Sequence, residues 1–335
     1  MPSKKLIAAV VVVAVVVVGG GTAAAVSTAV AANARQWVTG YADADTSYAQ
    51  LAASSDTLTT VAIDGVNLIH DGAAVSSPSS ANLRSLADAH SLGKRGELLV
   101  GNFDEHVGDF SPRLAAGLLE SPAHIASVVT ALAAEAQKHS WQGVTVDFEN
   151  LDRTDGAGLT RFVRALDKAL GPTRSVTVAL MATTGSYGSL GYQLQSLARY
   201  ADRFVLMAYD QHGTWSGPGP VGGTPWVAKT LTPLLHRVAP SRIDLGIAGY
   251  GYTWPSDGST GSAVSAARAR SMVAADGAKP IWNKKQGEWH ATLSNGTQLW
   301  WSDKRTFAAR NALARHLHLN GVAVWSLTLA DPLKP

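Results

Sequence analysis

Two carboxylates stand two positions apart at the end of a short β-branched stretch that runs from Gly143 to Glu149. Neighbouring side chains of a β-strand point to opposite faces, so Asp147 and Glu149 share one face and apolar side chains fill the other. Carboxylates on the inward face of a buried strand are costly unless another group pairs with them or uses them. Asp147 and Glu149 are therefore the candidate centre of a site for acid–base chemistry.

Aromatic and polar residues at the ends of other predicted strands indicate a ligand for these acids. Tyr209, Tyr250 and Trp325 supply aromatic rings, Asp210 supplies a carboxylate, and Asn102 could contact a ligand or cap its own strand end. Aromatic planes stack on the C–H faces of sugar rings, while carboxylic acids act on hydroxyls and glycosidic oxygens. The pattern therefore predicts a carbohydrate-binding cleft.

The spacing of the two acids restricts the mechanism. Residues i and i+2 of a strand have Cα atoms about 6.6 Å apart and point the same way. They cannot easily lie on opposite faces of one sugar, as an acid and a protein nucleophile must. One acid can instead protonate the leaving oxygen while the other orients it, and the N-acetyl carbonyl of the substrate is then a candidate nucleophile. A tyrosine hydroxyl such as that of Tyr209 could hold this acetamido group.

Strands and helices alternate along the chain in an order that would bring these residues to one edge. Ser121, for example, is the predicted N-cap of a helix whose first residue is Pro122. About eight strand–helix repeats predict an α/β fold, the (β/α)8 TIM barrel, whose active site forms at the carboxyl ends of the strands. The predicted strands are Trp37–Tyr41, Thr60–Ile69, Glu97–Asn102, Trp141–Glu149, Ser175–Ala182, Phe204–Tyr209, Ile243–Tyr250 and Gly321–Leu327.

One segment does not fit the repeat. Residues from about 263 to 301 predict a small α+β insertion between the seventh and eighth strands, with a hairpin formed by Pro280–His290 and Gln298–Trp301. No linker divides the remainder, so residues 35–335 are predicted to form one barrel domain with this insertion.

The N-terminus predicts export. Lys4 and Lys5 precede an apolar run, Leu6–Val18, and a small-residue tract that ends at Ala34. This is the order of a secretory signal peptide. The run is shorter than the ~20 residues of a membrane span, although an anchor that extends into the Ala-rich tract stays open. Residues 1–34 therefore predict a secreted or cell-surface protein.

Charge and ligand-forming residues argue against several other functions. The formal net charge is +3, and no block of Lys or Arg predicts a nucleic-acid groove. The chain has no cysteine, and His70, His106 and His212 lack the spacing of zinc ligands. A divalent ion on Asp147 and Glu149 would need further oxygen ligands that no other strand end clearly supplies. The sequence predicts no nucleic-acid partner, no metal and no cofactor.

Three motifs coincide with the predicted strand ends: Gly143-x-x-x-Asp147-x-Glu149, Met207-x-Tyr209-Asp210, and Trp325. Together they resemble glycoside hydrolase family 18, the chitinase-like (β/α)8 enzymes. Phe148 and four further segments are similar to the bacterial branch that contains spore-cortex and peptidoglycan N-acetylglucosaminidases, and the resemblance covers nearly all of residues 36–332. The segments are Gly217–Pro220, Pro225–Val227, Leu245–Tyr252, and Gly321–Trp325 followed by Asp331-Pro332.

The resemblance implies a role for each matching residue. Glu149 would be the general acid/base, and Asp147 would hydrogen-bond it and then stabilise an oxazolinium-like intermediate. Tyr209 would hold the acetamido carbonyl, and Trp325 would floor the subsite that receives the N-acetyl sugar. The candidate substrate-binding residues are Asp210, Trp325, Met207, Asn102 and Tyr250.

Two positions depart from the family pattern. The family has acids at the positions of Gln142 and Thr145, and this chain has none there. Thr145 could still hydrogen-bond Asp147, but a hydroxyl cannot share a proton with it as a carboxylate would. The departures therefore affect proton cycling and the pH optimum.

The residues and the resemblance predict an exported, retaining β-N-acetylglucosaminidase that cleaves β-1,4 bonds next to N-acetylglucosamine in peptidoglycan or a chitin-like glycan. A non-hydrolytic protein that binds such polysaccharides on the same barrel is the competing hypothesis, and an enzyme that acts on N-glycan cores is a third. Loss of Glu149 would have favoured the binding protein, and Glu149 is present.

Overall fold

Eight parallel strands close into a barrel in the computed structural model, which describes residues 36–334. Each strand pairs with the next in chain order, and the first pairs with the last, Trp37 opposite Gly321. The predicted (β/α)8 barrel is confirmed. The barrel strands, numbered here in chain order, are β1 (Trp37–Ala42), β2 (Thr60–Ile69), β3 (Arg95–Gly101), β4 (Gly143–Asp147), β5 (Ser175–Met181), β6 (Arg203–Met207), β7 (Ile243–Ala248) and β8 (Gly321–Trp325).

Helices cover the outside of the barrel. The side chain of Ser121 accepts a hydrogen bond from the backbone N–H of His124 and caps the helix that begins at Pro122, as predicted. The helix Leu194–Leu197 is only one turn long, and tight turns follow it. The α-helices are Tyr48–Ser54, Ser80–Ser91, Pro112–Glu120, Pro122–Lys138, Gly156–Leu170, Leu194–Leu197, Thr224–Leu235, Ala266–Asp276 and Lys304–His316.

Apolar packing forms separate layers outside and inside the barrel. The larger cluster lies between the strands and the helices and includes Phe148 and Phe162, whose ring centroids are 5.4 Å apart. The smaller cluster fills the barrel interior with inward-facing side chains from alternate strand positions, as this fold requires. Its buried members are Tyr41, Ala62, Leu99, Val205 and Ala323.

A buried ion network lies among the amino-terminal parts of the strands. The guanidinium of Arg203 donates to Glu97 at 2.5 Å and to Asp244 at 2.7 Å, and all three residues are buried. The hydroxyls of Thr145 and Thr177 donate to the second oxygen of Glu97 at 3.2 and 3.3 Å. The network satisfies charges that would otherwise be costly in a barrel interior.

Removal of the cation from this network is expected to destabilise the fold. Arg203→Met leaves two carboxylates buried without their partner, so the free energy of unfolding is expected to fall by about 3–5 kcal/mol. Arg270→Met breaks the ion pair with Asp331, in which the arginine side chain is 44% exposed, and is expected to cost less than about 1 kcal/mol. Denaturant titration of both variants measures the two losses in the free energy of unfolding. Equal losses would contradict a stabilising role of Arg203 in the buried network.

A five-stranded antiparallel sheet and the helix Ala266–Asp276 form the insertion between β7 and β8, and the helix Lys304–His316 follows them. The predicted seventh strand, Ile243–Tyr250, ends earlier, at Ala248. Tyr250 instead begins the strand Tyr250–Trp254 of the antiparallel sheet, which pairs with Gln298–Trp301. The predicted strand Pro280–His290 is itself a hairpin, since Gly287 adopts a positive φ and turns the chain back. The strands are Tyr250–Trp254, Ala263–Ser265, Ile281–Asn283, Glu288–Thr292 and Gln298–Trp301.

Shorter elements complete residues 36–334. Two-residue strands are Ala74–Val75, Phe103–Asp104 and Asp109–Phe110, and 3-10 turns are Arg153–Asp155, Tyr187–Leu190 and Pro240–Arg242. In this described part, no single helix has the length and apolarity to cross a membrane; Pro112–Glu120 and Pro122–Lys138 reach them only as a pair bent by 102°. The predicted leader, residues 1–34, lies outside the described residues.

Candidate active site

A cavity of about 640 Å³ opens where the barrel strands end. Six of the predicted site residues line it together: Asp147, Glu149, Met207, Tyr209, Asp210 and Trp325. They come from the ends of β4, β6 and β8, which lie apart in the sequence. The remaining wall consists of Asp109, Phe110, Asn150, Met181, Ala182, Trp215 and Trp226.

The two carboxylates reach the cavity from one strand end. Asp147 is the last residue of β4 and is 6% exposed, and within residues 36–334 its Oδ1 atom has no hydrogen-bond partner. Glu149 follows two residues later and is half-buried. A buried carboxylate oxygen without a partner is rare in folded proteins and is typical of a functional group.

Asn102 fixes the backbone of Glu149 from below the cavity. Its Oδ1 atom accepts the N–H of Glu149 at 2.9 Å, and its Nδ2 atom donates to the carbonyl of Glu149 at 3.0 Å. Asn102 is fully buried and does not line the cavity. Of the two roles that the sequence left open for Asn102, this geometry matches the structural one.

Burial and mutual repulsion keep both acids protonated to unusually high pH. Burial, followed by the charges of Asp147, Asp210 and Asp109, raises the pKa of Glu149 to about 9. Burial, followed by the charge of Asp64, raises the pKa of Asp147 to about 7. Glu149 is therefore a neutral proton donor at pH 7, which a general acid must be.

Tyr209 and Asp210 follow β6 and face the acids. Burial, first, and the charges of Tyr41 and Asp147 raise the pKa of Tyr209 well above its usual range, so the hydroxyl stays a hydrogen-bond donor. Asp210 adopts a φ of 60°, which aspartate tolerates better than most residues. Its Oδ1 atom accepts from the hydroxyls of Tyr250 at 2.6 Å and Tyr252 at 2.9 Å.

Tyr250 therefore acts through Asp210 rather than on the cavity wall. It is 4% exposed and packs its ring at 5.6 Å from that of Tyr252. Tyr252 lies two residues further along the same strand and was not selected from the sequence. The i, i+2 spacing of the two tyrosines is the signal that could have identified it.

Three tryptophans border the cavity. Trp325 ends β8 and packs against Tyr41 at 5.2 Å between ring centroids. Trp215 is 65% exposed and meets Tyr252 edge-on at 5.8 Å, whereas Trp226 is half-buried against the main core. An exposed indole at the rim of an acidic cavity suits the apolar face of a sugar.

Glu288 of the insertion and Arg310 of the helix Lys304–His316 hold the loop that carries Trp215. Glu288 is buried and accepts the backbone N–H groups of Val221 and Gly222, each at 2.7 Å. Arg310 donates to the carbonyl of Gly222 at 2.5 Å. Sequence reasoning missed both residues, because a glutamate and an arginine far apart in the chain carry no sign of their common partner.

The two departures from the family pattern lie in different places. Thr145 points into the barrel and donates to Glu97, so its single hydroxyl proton is not available to Asp147, contrary to the expected alternative. Gln142 lies at the opposite end of β4, where its Oε1 atom accepts the N–H of Gly96 at 2.5 Å. Only the change at position 145 therefore borders the acids.

No group of three or more His, Cys, Asp or Glu side chains within residues 36–334 has the arrangement of a metal site.

Comparison with known proteins agrees with this geometry. The model of glycosyl hydrolases family 18 matches residues 37–330. An uncharacterized glycosylase of Bacillus subtilis, YvbX, is 26% identical over 239 residues, which are 68% of this chain and 70% of that protein. The spore cortex-lytic enzyme SleL of Bacillus cereus superimposes with a TM-score of 0.79 at 20% identity, over 89% of this chain and 72% of that chain.

A family 18 chitinase from Cycas revoluta, solved in complex with (GlcNAc)3, gives a TM-score of 0.76 at 16% identity, over 88% of this chain and 95% of that chain. The chain belongs to glycosyl hydrolases family 18, since the family model covers nearly the whole barrel. The protein is therefore a glycosidase, and the predicted likeness to the bacterial cortex-lytic branch is confirmed.

Proposed function

We propose that the protein is an exported, retaining β-N-acetylglucosaminidase that cleaves β-1,4 bonds next to N-acetylglucosamine in peptidoglycan or a chitin-like glycan. The observation that carries this proposal is the position of Asp147 and Glu149 at one strand end, in one cavity with Tyr209. Two acids on one side of the sugar leave the opposite face without a protein nucleophile from this pair.

The N-acetyl group of the substrate supplies the attacking oxygen in this proposal. Glu149 donates its proton to the glycosidic oxygen as the bond to the sugar breaks, and the acetamido carbonyl oxygen closes on the anomeric carbon. Asp147 accepts the acetamido N–H and offsets the positive charge of the oxazolinium ion. Glu149 then takes a proton from the water that opens this ion, so proton and charge balance over the cycle.

Asp210 is the carboxylate that could replace the substrate amide as nucleophile. Burial raises the pKa of Asp210, and its Oδ1 atom already accepts two tyrosine hydroxyls, at 2.6 and 2.9 Å, which hold its orientation. This arrangement suits a hydrogen-bonding contact with a sugar hydroxyl. Asp109 lies at the exposed rim and is a poorer candidate.

Export rests on the leader pattern of residues 1–34, and the choice of glycan rests on the relatives. SleL is described as a spore cortex-lytic enzyme, and the Cycas revoluta chitinase was solved in complex with (GlcNAc)3. Both glycans share the N-acetyl sugar that the mechanism needs. Detection of the protein in the medium or on the cell surface tests export independently of activity.

Matched substrates test the mechanism. We expect the purified protein to hydrolyse peptidoglycan or N-acetylglucosamine oligomers, and ¹H NMR should show that the β-anomer of the product forms first. The matching glucosamine oligomers are expected to be hydrolysed at least ~10²-fold more slowly. The free amine lacks the carbonyl oxygen that attacks, whereas a protein nucleophile would retain activity on both. Products of inverted configuration, or equal rates on the two series, would overturn substrate assistance, and binding without any product would favour a carbohydrate-binding protein.

A further inference from the structure

A carboxyl group on β2, that of Asp64, faces the barrel interior. Along this strand Ala62 packs inside the barrel and Ile63 packs outside it. Side chains alternate between the two sides, so Asp64 faces the interior as Ala62 does. Sequence reasoning did not select Asp64, because one aspartate in a β-rich stretch carries no distinctive spacing.

Strand register places Asp64 on the level of position 145. Asp64 pairs with Leu99 on β3, and Leu99 pairs with Thr145 on β4. The register shifts immediately after Asp64, where Gly65 is the extra residue of a bulge. A bulge turns the side chain beside it away from the regular strand direction and is common next to active sites.

On its own strand, Asp147 has no second acid at the next inward-facing position, which is Thr145. Its Oδ1 atom is buried and, among the described residues, without a hydrogen-bond partner. Thr145, the residue below it on β4, is bound to Glu97. A carboxyl group that shares a proton with Asp147 from the level of position 145 must therefore come from another strand.

The charges around Asp147 form a row that starts at the end of β1. Asp43 accepts hydroxyl hydrogen bonds from Thr46, Ser326 and Thr328, at 2.7 to 3.3 Å. Burial, and then the charge of Asp43, raises the pKa of Asp64. Two neighbouring carboxyl groups in a buried site, here Asp64 and Asp147, cannot both ionise readily, so one proton stays on one of the two. The titratable side chains that interact with Asp147 are Tyr41, Asp64, Glu149, Tyr192 and Tyr209.

We propose that Asp64 is a positioning residue that shares one proton with Asp147, and so performs from β2 the task that the family pattern gives to an acid at position 145. The inference rests on the proposed function. With the proton on Asp64, Asp147 is a carboxylate and can accept the acetamido N–H of the substrate. With the proton on Asp147, that acceptor is lost, so the pair sets the pH at which the enzyme becomes active.

The predicted signature is a shift of the acid limb of activity. Asp64→Asn removes a negative charge near Asp147, so Asp147 ionises at lower pH and the acid limb of kcat/KM moves down by roughly one pH unit. Asp64→Glu retains the charge and is expected to keep the limb within about 0.3 unit of wild type. Asp45→Asn removes an exposed carboxylate after β1, at the same end of the barrel, and is the matched control that should leave the limb in place.

The experiment measures kcat and KM against pH for wild type and the three variants on an N-acetylglucosamine oligomer, with circular dichroism to verify folding. A downward shift in Asp64→Asn alone supports the proposal. An unshifted limb in folded Asp64→Asn overturns it, as does a raised KM at every pH, which would make Asp64 a sugar contact.

A second measurement separates this proposal from the proposed function. NMR can follow the titration of the Asp147 carboxyl group in protein labelled with ¹³C at the aspartate carboxyl carbons, with the signal assigned by comparison with Asp147→Asn. This measurement needs no turnover. If wild type hydrolyses no N-acetylglucosamine glycan, the proposed function fails, yet the titration still reports the pair. A titration of Asp147 that is the same in wild type and Asp64→Asn would overturn the shared proton.

Discussion

Glu149→Gln is expected to lower kcat on N-acetylglucosamine oligomers by about 10²–10⁴-fold and to leave the fold intact. The amide keeps the size of the side chain, and the bonds from Asn102 involve only the backbone of residue 149. What is lost is the proton that Glu149 holds at neutral pH because of burial and its acidic neighbours. Steady-state kinetics, with circular dichroism for the fold, measure the loss.

The leaving group distinguishes loss of the acid from general damage to the site. An aryl glycoside with a nitrophenolate leaving group needs little protonation, so Glu149→Gln is expected to lose less activity on it than on a sugar leaving group. Glu105→Gln alters an exposed glutamate after β3 and is the matched control without effect. Equal losses on both substrates would argue that Glu149 is not the proton donor.

Asp147→Asn is expected to reduce kcat by about 10²-fold or more, because the amide cannot offset the positive charge of the oxazolinium ion. It is also expected to change the pH profile in a defined direction. The charge of Asp147 is the second cause, after burial, of the raised pKa of Glu149. Without that charge Glu149 loses its proton at lower pH, so the alkaline limb of kcat/KM moves down from near pH 9, while burial keeps it above the ordinary range of a glutamate.

Stability provides the control for this variant. Because burial raises the pKa of Asp147 from 3.8 to about 7, stability falls as the pH rises between these values, and the full cost of ionising Asp147 is present at pH 8. Asp147→Asn removes this opposition and is therefore expected to be at least as stable as wild type at pH 8. An alkaline limb that stays in place, or a loss of stability at pH 8, would contradict the assigned electrostatics.

The sequence by itself identified the strand end that carries the two candidate acids, and the family to which the chain belongs. Local features sufficed for this: the alternation that points Asp147 and Glu149 the same way, the Ser121 cap with Pro122, and the strand–helix rhythm of a barrel. Each feature depends on residues a few positions apart, so each can be recognised from the sequence alone. The proposed catalytic pair, Tyr209 and Trp325 lie at strand ends, and closure of the barrel brings strand ends together.

Only the tertiary structure decided which polar groups hold the residues of the proposed site. Asn102 holds the backbone of Glu149, Tyr250 and Tyr252 hold Asp210, and Glu288 holds the tryptophan loop, each across a long stretch of chain. The same holds for Asp64, whose level beside position 145 follows from pairing across β3. Burial and long-range charge set the pKa values of acids, and neither is encoded in the spacing of neighbouring residues.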